Sequence, residues 1–148
     1  MNRIECVPLT KDHILEVFEI ECLSFKSPWS IEALKDELLN SAAKYIVAIK
    51  DKKVLGFGGM WLILDEAHIT NIAVHPKYRN LKLASLILES LISVAEQECA
   101  LSMTLEVRVS NINAQKLYNK YNFITAGRRK AFYQDNKEDC LIMWRRQL

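Results

Sequence analysis

The stretch Asn71-Ile72-Ala73-Val74-His75-Pro76-Lys77-Tyr78-Arg79-Asn80-Leu81-Lys82-Leu83-Ala84-Ser85-Leu86-Ile87-Leu88-Glu89-Ser90-Leu91 decides the fold. Ile72-Ala73-Val74 is apolar and β-prone. Pro76 has no N–H and disfavours helix at His75, so the strand should stop there. From Leu83 onward apolar residues recur at helical spacing, at Ala84, Ile87, Leu88, Leu91 and Ala95. The stretch therefore reads as strand, basic loop, long helix. A helix start carries free N–H groups and a partial positive charge. With Lys77, Arg79 and Lys82 around it, this one suits an anion, above all a phosphate. An ordinary strand-to-helix connection with surface lysines explains the same residues.

The 148 residues suit one domain, 1–148, with one sizeable core. Hydrophobic residues make up 50% and charged ones 26%, as in a soluble globular protein. A net charge of +2 is too small to argue for nucleic acid. The local basic clusters Lys77–Lys82, Arg128–Lys130 and Arg145–Arg146 read as solvated surface. No apolar run approaches the roughly 20 residues of a membrane helix. The opening Met1–Glu5 lacks the apolar stretch of a secretory leader. Cys6, Cys22, Cys99 and Cys140 are far apart and read as thiols in a reducing compartment. The expected location is the cytoplasm. No acidic, histidine or cysteine group has ligand spacing, so no metal is expected.

Working outward, Arg3–Pro8 reads as an edge strand. Thr10 or Asp12 can cap a helix with Ile14, Leu15, Phe18 and Cys22 on one face. Ser24–Trp29 is a loop, and Ser30 caps a second helix with Ile31, Leu34 and Leu38 inward. Lys44–Lys50 and Val54–Ile63 form a hairpin in which Gly56, Gly58 and Gly59 mark close approach or a bulge. Asp65-Glu66 is a turn before the strand Ala67–Val74. After the long helix, Met103–Val109 is a strand with Leu105, Val107 and Val109 on one face and Thr104, Glu106 and Arg108 on the other. Asn111 or Asn113 caps a helix with Ala114, Leu117, Tyr118 and Tyr121 on one side. Gly127 breaks the chain before a last hairpin, Ala126–Tyr133 with Asp139–Arg145.

Two residues stand out chemically. Glu106 interrupts an apolar strand and is a candidate base, although a lone strand Glu is more often just solvent-facing. Tyr118 lies on an apolar helix face and is a candidate acid, although such a Tyr is more often core.

The turn Ile72-Ala73-Val74-His75-Pro76-x-Tyr78-Arg79 and the helix after it resemble the acetyl-CoA segment of GNAT N-acetyltransferases. The element order β-α-α-β-β-β-α-β-α-β-β resembles that fold along the whole chain. The resemblance implies an α/β (α+β) architecture, a mixed, mostly antiparallel sheet flanked by about four helices. The family loop reads Arg/Gln-x-x-Gly-x-Gly/Ala; here Lys82 replaces the middle Gly, and the expectation is that crowding weakens cofactor binding. Asn122 stands where the family has Gly, and Asn tolerates left-handed backbone. Leu105-Glu106-Val107-Arg108-Val109-Ser110-Asn111 resembles a signature of the RimI branch, which acetylates the N-terminal alanine of a small-subunit ribosomal protein. Phe25-Lys26-Ser27-Pro28-Trp29-Ser30, Leu64-Asp65-Glu66-Ala67 and Arg128–Tyr133 with Glu138–Met143 are similar to further stretches of that branch.

The resemblance implies that Glu106 accepts the amine's proton and Tyr118 protonates the departing thiolate. Ile72, Ala73 and Val74 would hold the acetyl carbonyl. Asn80, Leu81, Lys82, Leu83, Ala84, Ser85 and Asn111 would hold acetyl-CoA, used as co-substrate without a metal. Trp29, Asp65 and Glu66 would meet the acceptor. The expected acceptor is a protein N-terminal peptide, with neither nucleic acid nor membrane as a direct partner and the enzyme a monomer or weak dimer. The alternatives are a GNAT enzyme acting on lysine or a small amine, and a non-catalytic GNAT-fold binding protein.

Overall fold

The structure, a computed structural model, describes residues 3–79 and 82–148. The elements are β1 (Glu5–Pro8), α1 (Ile14–Ser24), α2 (Ile31–Leu39), β2 (Ala43–Lys50), β3 (Lys53–Ile63), β4 (Glu66–Val74), α3 (Leu83–Gln97), β5 (Ser102–Arg108), α4 (Ile112–Lys120), β6 (Ile124–Arg129) and β7 (Cys140–Arg145). Their order is the expected one. The strands form one seven-stranded sheet ordered β1-β2-β3-β4-β5-β7-β6. Every pairing is antiparallel except β4 with β5.

Local signals account for the element ends. Ser30 Oγ accepts the Ala33 N–H at 3.0 Å to start α2, and Asn111 Oδ1 accepts the Ala114 N–H at 3.2 Å to start α4. Asp51 and Lys52, at φ 53° and 65°, make the tight turn that antiparallel β2 and β3 need. Asn122 closes the turn after α4 at φ 70°, the left-handed geometry that Asn tolerates.

Alternation along the strands separates two cores. Ile46 and Ala48 of β2 join Ile87, Leu88 and Leu91 of α3, with Tyr118 of α4 in the same cluster. Tyr45 and Val47 face Val17 and Ile20 of α1 and Leu34 of α2. Each fully buried Leu or Ile contributes about 1.5–3 kcal/mol of burial. Gly58 lets α3 lie close to the sheet, since a Cβ there would sit 2.5 Å from Ile87 Cγ2. On the other face, a Cβ at Gly59 would enter the Tyr45 ring.

Three expectations are corrected. The inner face of α1 is Ile14, Val17, Ile20 and Glu21, while Leu15 is 71% exposed and Cys22 is exposed. This helix is apolar on nearly every side, so two stripes compete, and the one with Val17 and Ile20 packs on Phe57. Gly127 does not break the chain: β6 begins at Ile124 and passes through Gly127 at a register shift. The connection from β6 to β7 is accordingly longer than expected, covering 130–139.

What positions the site is the centre of the sheet. β4 and β5 pair only from Glu66↔Ser102 to His68↔Thr104. Beyond those three residues the two strands part. On its other side β4 keeps pairing with β3, but the register passes from Met60↔Ile69 to Gly59↔Asn71, so Thr70 is an extra, bulged residue.

Candidate active site

A cavity of about 860 Å³ occupies the gap between the parted strands, with Ile69–Val74 on one wall and Leu105–Arg108 on the other. Lys82–Ser85, at the start of α3, and Asn111, Ala114, Leu117 and Tyr118 complete the lining. The first N–H groups of α3 have no partner within their own helix. Lys82 caps that helix with left-handed backbone, φ 59° and ψ 26°, and makes no side-chain cap. Val74 O accepts from Arg79 Nε at 3.3 Å, tying the basic loop back to β4.

Glu106 and Tyr118 both line this cavity. Strand alternation puts Glu106 opposite Leu105 and Val107, so it lies on the α1–α2 face and stays exposed, whereas Tyr118 comes from the α3–α4 core. The gap thus joins the two faces of the sheet. Burial pushes the Tyr118 phenol up to about 12, with Tyr133 adding to the effect. It is therefore protonated at neutral pH and available to donate a hydrogen bond to negative charge in the cavity. Phe123 packs against its ring at 5.7 Å.

A second cavity, about 570 Å³, opens on the α1–α2 face. It shares Ser24, Phe25, Thr70, Asn71, Arg108 and Tyr133 with the first. Its outer wall is the connection 130–139, held down by Arg108. That guanidinium takes both Asp135 oxygens at 2.9 and 3.2 Å and Glu138 Oε1 at 3.3 Å, and it stacks 3.9 Å from the Tyr133 ring centre. Hydrogen bonds from Ser110, with Asn136 and Arg108 beside them, hold Glu138 down at about 2. Burial pushes Tyr133 up to about 12. The inner wall is Glu21, whose Oε1 accepts the Trp29 N–H at 3.1 Å and fixes the loop after α1.

The candidates named from sequence divide as follows. Ile72, Ala73, Val74, Lys82, Leu83, Ala84, Ser85, Asn111, Glu106 and Tyr118 all meet in the first cavity, and Trp29 lines the second. Asn80 and Leu81 lie outside the described residues. Asp65 and Glu66 are not brought to either cavity: they sit at the β3–β4 turn, where Asp65 O accepts from Leu101 N and Glu66 meets His68. Glu66 lies five residues before Asn71, about 17 Å along an extended strand. Arg108, Tyr133, Glu21 and Asn71 went unread as site residues. Arg108 carried a signal, being two positions from Glu106 and so on the same face.

This geometry matches a known class. Residues 14–123 fit the sequence profile of the Acetyltransferase (GNAT) family, and the chain belongs to that family. Family members take the acetyl group from acetyl-CoA. The chain is 44% identical over 134 residues to a Bacillus subtilis (strain 168) protein provisionally named ribosomal protein bS18-alanine N-acetyltransferase, covering 90% of this chain and 89% of that one. It is 32% identical over 147 residues to the ribosomal protein bS18-alanine N-acetyltransferase of Escherichia coli (strain K12), covering 97% and 96%. The crystal structure of the Escherichia coli ribosomal-protein-S18-alanine N-acetyltransferase superposes with a TM-score of 0.88 at 29% identity, covering 96% of this chain and 92% of that one.

Proposed function

We propose that this acetyltransferase modifies the N-terminal α-amino group of a protein, the acceptor being the N-terminal alanine of a small-subunit ribosomal protein. The supporting observation is that Glu106 and Tyr118 line one cavity from opposite faces of the sheet, beside the free N–H groups of α3. The names of the relatives point to the same acceptor. In this reading acetyl-CoA lies along Ile72–Val74, Lys82–Ser85 and Asn111, and the acceptor enters from the Trp29 side. Glu106 takes a proton from the ammonium, directly or through water. The amine nitrogen attacks the thioester carbon, the carbon–sulfur bond breaks, and Tyr118 supports the leaving thiolate and supplies its proton. An α-amine with pKa about 7.7–8.0 suits a carboxylate base better than a lysine near ~10.4. The four cysteines are free thiols, which suits the cytoplasm. No helix among the described residues is long and apolar enough to cross a membrane. The test is mass spectrometry of a peptide that begins with Ala and also contains an internal Lys. Acetyl on the α-amine supports the proposal, and acetyl on the Lys side chain overturns it.

A further inference from the structure

Among the described residues, Glu21 Oε2, Ser24 Oγ and Asn71 Nδ2 are buried side-chain polar atoms without a well-formed hydrogen bond; burial pushes the Glu21 carboxyl up, and the Asn71 side chain beside it works against that larger rise. Such atoms are rare in folded proteins and call for an explanation. All three belong to residues lining the same cavity, the one on the acceptor side. Asn71 also ends a run of polar contacts that starts at Trp61. Trp61 Nε1 donates to Glu37 Oε1 at 2.7 Å, and Tyr45 OH donates to the same oxygen at 2.8 Å. Tyr45 OH meets Thr70 Oγ1 at 3.0 Å, and Thr70 donates to Asn71 Oδ1 at 2.9 Å. Glu21 Oε1 is taken by Trp29 N–H. These polar contacts run from β3 through α2 and β2 to β4 and stop at the cavity, with the Tyr45 proton on Glu37 and the Thr70 proton on Asn71.

We propose that Glu21, Asn71 and Ser24 form a subsite for the first peptide unit of the acceptor, whose N–H donates to Glu21 Oε2 and whose C=O accepts from Asn71 Nδ2. The inference rests on the N-terminal reading above. The chemistry is complementary: the cluster offers one amide donor, one carboxylate acceptor and a hydroxyl that serves either way, and a peptide unit offers one N–H and one C=O. Ser24 and Asn71 also line the cofactor cavity, so the subsite adjoins the place where amine and thioester must meet. Seating the acceptor turns the Glu21 and Asn71 side chains onto the cavity surface. A lysine ε-amine has only methylenes next to it and leaves these groups unsatisfied. The enzyme thus recognises an α-amine by the peptide bond beside it.

The test compares two acceptors that begin with Ala, a peptide and the depsipeptide in which an ester oxygen replaces the first peptide N–H. Both are assayed with the wild-type chain and with Glu21→Gln. The variant's carboxamide oxygen keeps the Trp29 contact while its NH₂ faces the peptide N–H. In the wild type the depsipeptide is expected to lose about ten- to a hundredfold in kcat/KM, mainly through KM. Glu21→Gln should lose a similar factor on the peptide and little more on the depsipeptide, because both changes remove one interaction. Equal wild-type rates on the two acceptors, or losses that simply multiply, overturn the subsite. If Glu21→Gln does not fold, the wild-type comparison decides alone. No acetylation of either acceptor overturns the N-terminal reading as well.

Discussion

Replacing Lys82 with Gly separates the two effects of one side chain. At φ 59° and ψ 26°, Lys82 holds a geometry that costs a non-glycine residue about 1–2 kcal/mol. Gly relieves this but loosens the unfolded chain by about 0.4–1 kcal/mol. The net gain is about 0–1.6 kcal/mol, a Tm rise of up to about 6 °C for a chain of this size. Binding should move the other way. From sequence, crowding by the Cβ was expected to outweigh the ammonium, on the assumption that the loop is forced away from the phosphates. Lys82 adopts a left-handed backbone that also suits Gly, and on that ground the expectation here is that the N–H contacts survive and the charge decides the difference. An exposed charge contact contributes about 0–1 kcal/mol, at most about fivefold in Kd. Lys82→Gly should therefore melt higher by differential scanning calorimetry. In isothermal titrations it should bind acetyl-CoA up to about fivefold more weakly at low salt. That gap should close near 1 M salt, where the screening length is about 3 Å. Tighter binding by Lys82→Gly at both salts would show that crowding wins, and a lowered Tm would refute the strain argument.

Glu106→Gln should lower kcat by about 10²–10⁴, and Tyr118→Phe by a factor nearer the lower end, because a phenol near 12 gives up its proton reluctantly to a thiolate of about 8.5. Acetyl-CoA titrations should show nearly unchanged affinity in both variants, and wild-type turnover in either removes that residue from the mechanism. Asp65→Asn with Glu66→Gln should leave the peptide KM unchanged, and a raised KM would return the β3–β4 turn to the acceptor site. For Glu138 the folded pKa, about 2, lies below its ordinary 4.5. Its contribution is therefore full above about pH 4.5 and lost as pH falls towards 2. Hydrogen exchange at Ser110 should report that loss in the wild type only, with Glu138→Gln flat across the same window.

The order of elements was legible because each has its own period and stop signal. Pro76 ended β4, Ser30 and Asn111 capped their helices, and Leu83–Leu91 ran at one helical pitch. α1 was misread because a helix apolar on most sides carries no unique stripe, and only its partner Phe57 selects one. The proposed catalytic pair could be named from short motifs, but their meeting depends on β4 and β5 parting after His68. That is a long-range property with no local code. Arg108 and Glu21 were hidden for a related reason. Each draws its role from partners 30 and 8 residues away, Glu138 and Trp29, and neither pairing leaves a periodic trace.

The parting of β4 and β5 also bears on how the protein behaves when it is not at work. An unpaired strand edge normally lies at the margin of a sheet, where charges, prolines or short length guard it against adding a foreign strand. Here two such edges lie inside the sheet, and Ile69-Thr70-Asn71-Ile72-Ala73-Val74 has no charged residue and no Pro to guard it. A cofactor lying in the gap between the two strands would shield the same edges that it uses for chemistry. Starving a cell of acetyl-CoA would then do more than idle this enzyme: it would uncover an unguarded strand edge in the middle of its sheet.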